Sequence, residues 1–335
     1  MFFKKKNYDF IAIGDLITDA FIDLSDAWVE DDNPEKKQEL CMHFGEKIPY
    51  KHIDIIPAVG NSPNAAVAAH RLGISSALVS DCGNDMYGRE QLQSLKKEGL
   101  SKPFIHVHKD MQSNYNLILR WKAERTILVK HQQYPYTLPH FNTPKWLYLS
   151  SLAENSIPFH EKIGVYLKKH PGVKLAFQPG TFQIQLGYEV LKKIYEHTHI
   201  FFCNKTEAQK ITESSETNIP TLLRNLHERG PSIVVITDGK NGAYVYDGHT
   251  TWHGPIYPDP KEPVDRTGAG DAFASTFVSA LILGKSIEEA LRWAPINSMS
   301  VVQYVGSKQG LLSQKEIQSY LDQAPEYYTP QKLDK

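Results

Sequence analysis

Short, continuous apolar runs alternate with amphipathic stretches along most of this chain. "YDFIAIGDL" (8–16), "SSALVSD" (75–81), "KWLYLSS" (145–151), "VKLAFQP" (173–179), "HIFFCN" (199–204) and "PSIVVITDG" (231–239) read as strands. Their apolar residues are successive, not alternate, which predicts strands covered on both faces. Between them lie helical patterns. "NSPNAAVAAHRLG" (61–73) predicts a helix with Ser62 as N-cap, Pro63 at the first helical position and Gly73 as the stop. "REQLQSLKKEG" (89–99) predicts another, closed by Gly99. Buried strands alternating with helices point to an α/β fold: a doubly wound, mostly parallel sheet flanked by helices.

Two stretches break this rhythm, at about 20–57 and 104–130. "IPYKHIDIIPAVG" and "NYNLILRWKAERTILVKH" are strand-like runs unsuited to a crossover helix. Both are expected to join one small second sheet that projects as a lid over a site. Such a sheet also offers a surface for a homodimer. No internal repeat is visible. The polar tail "APEYYTPQKLDK" (324–335), after a Ser313/Glu316 capping box, is expected to fray.

Composition narrows the class. The chain has 335 residues, 41% apolar and 22% charged, with a net charge of −1. No basic excess points to nucleic acid, and no apolar run approaches the ~20 residues of a membrane helix. The start "MFFKKKNYDFIAIGDLITDAFIDL" reads as a basic lead-in to a buried strand, because Asp9, Asp15 and Asp19 interrupt any signal-peptide core. Cys41, Cys82 and Cys203 are widely spaced with no CxxC pair, so reduced cytoplasm is the expected compartment. The fourteen histidines show no HExxH spacing, and His197 and His199 read as structural.

The candidate chemistry sits in "VDRTGAGDAFASTFVSALILG" (264–284). The first N–H groups of a helix have no internal partner, and the helix dipole adds positive charge there. A Gly-Ala-Gly turn opening a helix therefore forms a phosphate cradle. Asp271 beside it can take a proton from an attacking hydroxyl. The plainer reading is a capped helix with a first-turn acid. "LGKSIEEA" (283–290) ends like a P-loop. However, Ser279 stands where the preceding glycine is needed, and the run before it is helical. Gly284 as a helix stop and Ser286 with Glu289 as a capping box account for it. No GxGxxG follows the first strand, which counts against a dinucleotide dehydrogenase.

"DRTGAGDAF" resembles the C-terminal signature of the ribokinase/PfkB family of carbohydrate and nucleoside kinases. "IAIGDLITDAFIDL", "AVGNSPNAAVAAHRLG", "CGNDMYG", "ERTILV", "NKTEAQ" and "TDGKNGAYVY" resemble its other motifs in the same order. The resemblance implies one ribokinase-like domain over 1–335, using ATP and Mg²⁺ to phosphorylate a small-molecule hydroxyl. It implies Asp271 as base, with Gly268, Ala269 and Gly270 as the anion hole. Asn204 and Glu207 would order Mg²⁺ through its waters; locally they also read as an N-cap and capping-box partner. Thr237, Gly239 and Gly242 would border ATP. Asp19, Gly60 and Asn64, with Asn61 beside them, would hold the acceptor. A monovalent cation near Asp265 and Val305–Ser307 is implied by resemblance alone. Two positions depart from the pattern: Val59 replaces a glycine and Arg266 a threonine, the latter read either as a loop residue or as a phosphate contact. Polar acceptor positions favour a sugar. A nucleoside is the alternative, since Trp28, Phe44, Tyr115 and Trp121 could wall a base. A non-catalytic sugar- or nucleotide-binding regulator is the rival class.

Overall fold

The computed structural model describes residues 7–31, 38–122 and 124–333. The basic lead-in at residues 1–6 and most of "DNPEKKQEL" lie outside them. The chain opens with β1 (Phe10–Ile13), β2 (Ile17–Leu24), the short pair β3 (Trp28–Glu30) and β4 (Glu39–Cys41), and the long β5 (Tyr50–Val59). Helix α1 (Asn61–Arg71) leads to β6 (Ser76–Gly83), α2 (Met86–Lys97) and β7 (Ile105–His108), then to β8 (Asn114–Trp121) and β9 (Glu124–Leu128). Strands and helices then alternate through β10 (Trp146–Leu149), α3 (Ile157–Lys169), β11 (Lys174–Phe177), α4 (Thr181–His197), β12 (Thr198–Asn204), α5 (Lys205–Ile211), α6 (Ile219–His227) and β13 (Ile233–Thr237). The last part holds β14 (Ala243–Tyr246), β15 (Thr251–Gly254), α7 (Ala269–Ile282), α8 (Ile287–Val301), α9 (Gln314–Asp322) and β16 (Gln331–Leu333).

Among the described residues, ten strands form the main sheet in the order β16-β15-β14-β13-β12-β11-β10-β1-β6-β7. From β7 to β13 every pairing is parallel; β14, β15 and β16 extend the edge antiparallel. This is the expected doubly wound α/β class. Helix α7, with Phe277 fully buried, packs on one face with α1 and α8; α3, α4 and α6 cover the other around Ile163, Leu191 and Leu222. Because both faces are covered, Phe10–Ile13 and Trp146–Leu149 are buried at every position. That is why they read as unbroken apolar runs.

A separate four-stranded sheet, in the order β5-β2-β8-β9, joins the two stretches that broke the rhythm. Its first strand begins at Ile17, and its second contribution begins at Asn114. Ile105–His108 pairs with β6 in the main sheet instead. The β2–β5 pairing is irregular: Ile17 faces Val59 but Thr18 faces Pro57, which leaves Ala58 as a bulge at φ 61°. The left-handed conformations at this corner fall on Ala58 and Gly60 (φ 117°), while Val59, in place of the family glycine, is an ordinary buried strand residue.

Two local expectations are corrected. Gly60, not Ser62, is the N-cap of α1, and Pro63 is the third helical residue. Ser62 is fully buried and spends its hydroxyl on the Ile13 carbonyl (2.7 Å) and Ser150 (2.6 Å), so it cannot cap. As far as Leu333 the tail does not fray: β16 pairs with β15, and Tyr328 is buried with its hydroxyl donating to the Arg292 carbonyl at 2.6 Å; residues 334–335 lie outside the described residues. Gly284 (φ 82°) and the Ser286/Glu289 capping box end one helix and start the next, as the P-loop alternative required.

Candidate active site

Parallel α/β sheets gather polar groups at the carboxyl ends of their strands, where backbone turns leave the core. Here those ends carry Asp15 just after β1, Ser150 after β10, Gln178 after β11, Asn204 closing β12 and Thr237 closing β13. Helix α7 points its N-terminus at the same rim. Its N-cap, Gly268, sits at φ 81°, and no side chain caps that end. A Cβ at Gly268 would lie 2.2 Å from Ser307 Cβ, so only glycine fits the turn. Gly270 faces open space; the nearest atom to an added Cβ is Gln178 Nε2, 3.9 Å away.

Asp271 is 8% exposed. Its Oδ1 accepts from Asn61 Nδ2 (2.7 Å) and Gln178 Nε2 (3.1 Å), and its Oδ2 from Asn64 Nδ2 (2.8 Å). Burial raises its carboxyl above the ordinary range, and the three amides oppose that shift. Two of the amides are themselves held: Ser307 Oγ donates to Asn64 Oδ1 at 2.9 Å, and Tyr148 donates to Gln178 Oε1. A buried carboxyl aimed by three neutral donors remains able to take a proton.

Asp19 lies on β2 beside Asn116, whose Nδ2 donates to Asp19 Oδ1 at 3.1 Å. Burial pushes its carboxyl up to about 6, and the negative charges of Asp265 and Asp271 add to that. Nearby, Asp15 accepts from His131 Nδ1 (2.6 Å) and Tyr136 Oη (2.8 Å). Asp265 ties two loops together: Thr267 donates its N–H and hydroxyl to Oδ1, and Gly306 N–H to Oδ2.

Asn204 and Glu207 form a reciprocal capping box, with 2.9 Å bonds in both directions. Burial raises Glu207, and the Asp271 charge contributes to the same shift. They make no direct bond among the described residues. A cavity of about 360 Å³ opens beside the α7 turn. Thr237, Gly239, Gly242, Arg266, Ala269 and Gly270 form its polar side; Ile256, Tyr257, Phe273 and Met299 contribute an apolar wall. Arg266 is an exposed loop residue that also lines this cavity.

Sequence reasoning missed Gln178, Asn116, Asp15, His131 and Tyr136. For Gln178 a signal existed: a polar residue directly after a buried parallel strand.

The chain matches the pfkB family carbohydrate kinase profile over residues 57–314. It is 28% identical to mouse ribokinase over 284 residues, covering 82% of this chain and 86% of the relative. It is 26% identical to the ATP-dependent 6-phosphofructokinase of Thermoanaerobacterium thermosaccharolyticum over 321 residues, 91% of each. Among solved structures, Arabidopsis thaliana ribokinase complexed with ribose and ATP superposes with a TM-score of 0.78 at 19% identity, covering 94% of this chain and 99% of that one. The Methanocaldococcus jannaschii nucleoside kinase gives 0.76 at 20% identity, covering 95% and 100%. An Escherichia coli structure of the same fold contains ATP and Mg²⁺. By the family match over most of its length, this chain belongs to the pfkB family of carbohydrate kinases and has the ribokinase fold.

Proposed function

We propose that the chain is an ATP- and Mg²⁺-dependent kinase that transfers the γ-phosphoryl group to a sugar hydroxyl. The observation that carries this is Asp271, buried at the open N-terminus of α7 and held by three amides next to a nucleotide-sized cavity. ATP fits that cavity chemically: its apolar wall suits a base, and the Gly268-Ala269-Gly270 turn opens the N-terminus of α7, which no side chain caps, toward phosphate. Mg²⁺ fits beside Glu207. The Asp271 charge adds to the upward shift of Glu207, and no three acidic, His or Cys side chains converge among the described residues. That donor set suits a hydrated ion shared with phosphate, not a cage built by protein alone. Mg²⁺ would supply charge neutralisation on the phosphates.

The residues then divide the work. Asp271 takes the proton of the acceptor hydroxyl as it attacks. The N–H groups of the α7 turn hold the charge of the transferring phosphoryl group. Asn61, Asn64 and Gln178 aim the carboxylate; Asp19 grips acceptor hydroxyls from the small sheet. Closure of that sheet over the cleft excludes water. A sugar is favoured over a nucleoside because three of the four aromatic candidates for a base wall, Tyr115, Trp28 and Phe44, lie elsewhere. Tyr115 neighbours Asn116 on β8 and so points to the opposite face from Asp19, where it packs on Tyr87. Trp28 packs on His43 in the outlying β3–β4 pair, and Phe44 is fully exposed.

A coupled ADP-release assay over sugars and nucleosides tests the reading. Asp271→Asn is expected to lower kcat by about 10²–10⁴ while nearly keeping ATP affinity. Turnover within a few-fold of the parent enzyme removes Asp271 from the role of base. ATP binding without turnover of any acceptor would instead support a binding regulator.

A further inference from the structure

The charges around the acceptor cleft are one-sided. Asp15, Asp19, Asp265 and Asp271 are all at most 9% exposed. Asp19 senses Asp265 and Asp271 as like charges close enough to raise it further. Among the described residues, four nearby basic groups are committed elsewhere. The Arg120 guanidinium is held by Asp23 (2.6 Å) and Asp54 (3.3 Å). Lys308 Nζ donates to the Pro57 carbonyl (2.9 Å) and to Ser94 Oγ (3.1 Å). Lys130 Nζ donates to Gln112 Oε1 (2.9 Å), beside the groove lined by Tyr115 and Leu117, whose side chains alternate to the face away from Asn116 and Asp19. His131 is bonded to Asp15. The groups directed at the candidate acceptor space are carboxylates and side-chain amides, which pair with hydroxyls and neutral amides.

We propose that the acceptor is an uncharged polyhydroxyl molecule and that the cleft rejects sugar phosphates. This rests on the kinase reading above and deepens it, because kinases of both kinds of acceptor occur among the relatives: ribokinase, and a 6-phosphofructokinase. A phosphorylated acceptor brings about 1.5 to 2 negative charges at neutral pH. Within a cleft of buried carboxylates those charges would go unpaired, and a buried, unpaired charge is strongly disfavoured. Arg and Lys are the usual side-chain partners of a bound phosphate. In this chain the basic side chains of Arg120, Lys308 and Lys130 instead fasten the sheet and its hinge. A free sugar needs no cation: its hydroxyls donate to Asp19 and Asp271 and accept from the asparagine amides. Rejection is therefore built from a repulsive element as well as an attractive one.

Matched pairs decide the matter. Ribose against ribose 5-phosphate, and fructose against fructose 6-phosphate, are compared for ATP-dependent ADP release with Mg²⁺, and for binding by titration calorimetry in the presence of ADP. The unphosphorylated member of the better pair is expected to lead in kcat/KM by about 100-fold or more. A sugar phosphate used as well as its parent overturns the proposal and leaves the kinase reading standing. Turnover of no acceptor, free or phosphorylated, removes the kinase reading and this proposal together. Asp19→Asn keeps the shape of the side chain and removes its charge. It is expected to weaken the free sugar yet shrink the discrimination by about 10-fold. A folded variant whose discrimination is unchanged overturns the electrostatic account.

Discussion

At the scale of single residues, the site sacrifices stability at Asp19. The carboxyl is buried, accepts one amide hydrogen bond and titrates at about 6 instead of 3.8. A raised carboxyl pKa means that the folded state binds the proton more tightly than the unfolded state. Its stabilising contribution is therefore complete below pH ~3.8 and is lost as pH rises through about 6. From the size of that shift, ionising Asp19 costs about 2–3 kcal/mol at neutral pH. Asp19→Asn cannot ionise and still presents Oδ1 to Asn116. In denaturant titrations the variant is expected to be more stable than the parent by about 2 kcal/mol at pH 8, with the gap closing toward pH 4. Equal stability at both pH values would show that the carboxylate is relieved in solution. Glu207 and Asp271 are raised in the same direction by the same cause, so the penalty of clustered carboxylates is spread over the site.

At the scale of elements, one short segment fastens the small sheet to the phosphate turn. Gly306 (φ 82°) lies so close to Ile56 of β5 that an added Cβ would sit 2.3 Å from Ile56 Cδ1. Ser307 packs on Gly268 and bonds Asn64. Lys308, 6% exposed, bonds the Pro57 carbonyl immediately before the Ala58 bulge. Three consecutive residues thus touch β5, α1 and the α7 turn. A strained, buried bulge persists only where its surroundings over-determine it, and Lys308 is one of those determinants. Burial lowers the lysine to about 8; Glu98 opposes that shift and Arg71 adds to it. Lys308→Met keeps the apolar stem and deletes the bond. Amide exchange in the 53–60 segment is expected to accelerate, and the acceptor KM to rise about 10-fold, while the ATP KM stays put. Unchanged exchange in that segment would reduce Lys308 to a space-filling role.

At the scale of the whole molecule, legibility followed distance along the chain. The α7 turn and the Asn204/Glu207 box are written in adjacent residues, so sequence alone exposed them. Gln178, Asn116 and His131 meet partners 93, 97 and 116 positions away, and only the topology brings them together. The parallel strands were legible because both faces are apolar; β16 was not, because an edge strand of Gln331, Lys332 and Leu333 needs no apolar pattern. That edge has a consequence for the nucleotide side. Tyr328 is 2% exposed, packs edge-on against Tyr257 at 5.0 Å and bonds the Arg292 carbonyl. Tyr257 in turn lines the cavity beside the α7 turn and bonds the Tyr320 carbonyl. The tail therefore braces one wall of the proposed nucleotide cavity from behind. Tyr328→Phe loses one buried hydrogen bond, at a cost of about 1 kcal/mol. Tyr328→Ala also opens a void against Tyr257 and is expected to cost about 3–5 kcal/mol. Tyr328→Ala should bind ATP more weakly and Tyr328→Phe nearly as the parent does, with acceptor affinity unaffected, since Tyr328 packs on Tyr257 and bonds the Arg292 carbonyl. Thermal melts and separate KM measurements for the two substrates check this. If Tyr328→Ala weakened acceptor and ATP alike, the tail would be stabilising the whole sheet and not one wall of the cavity.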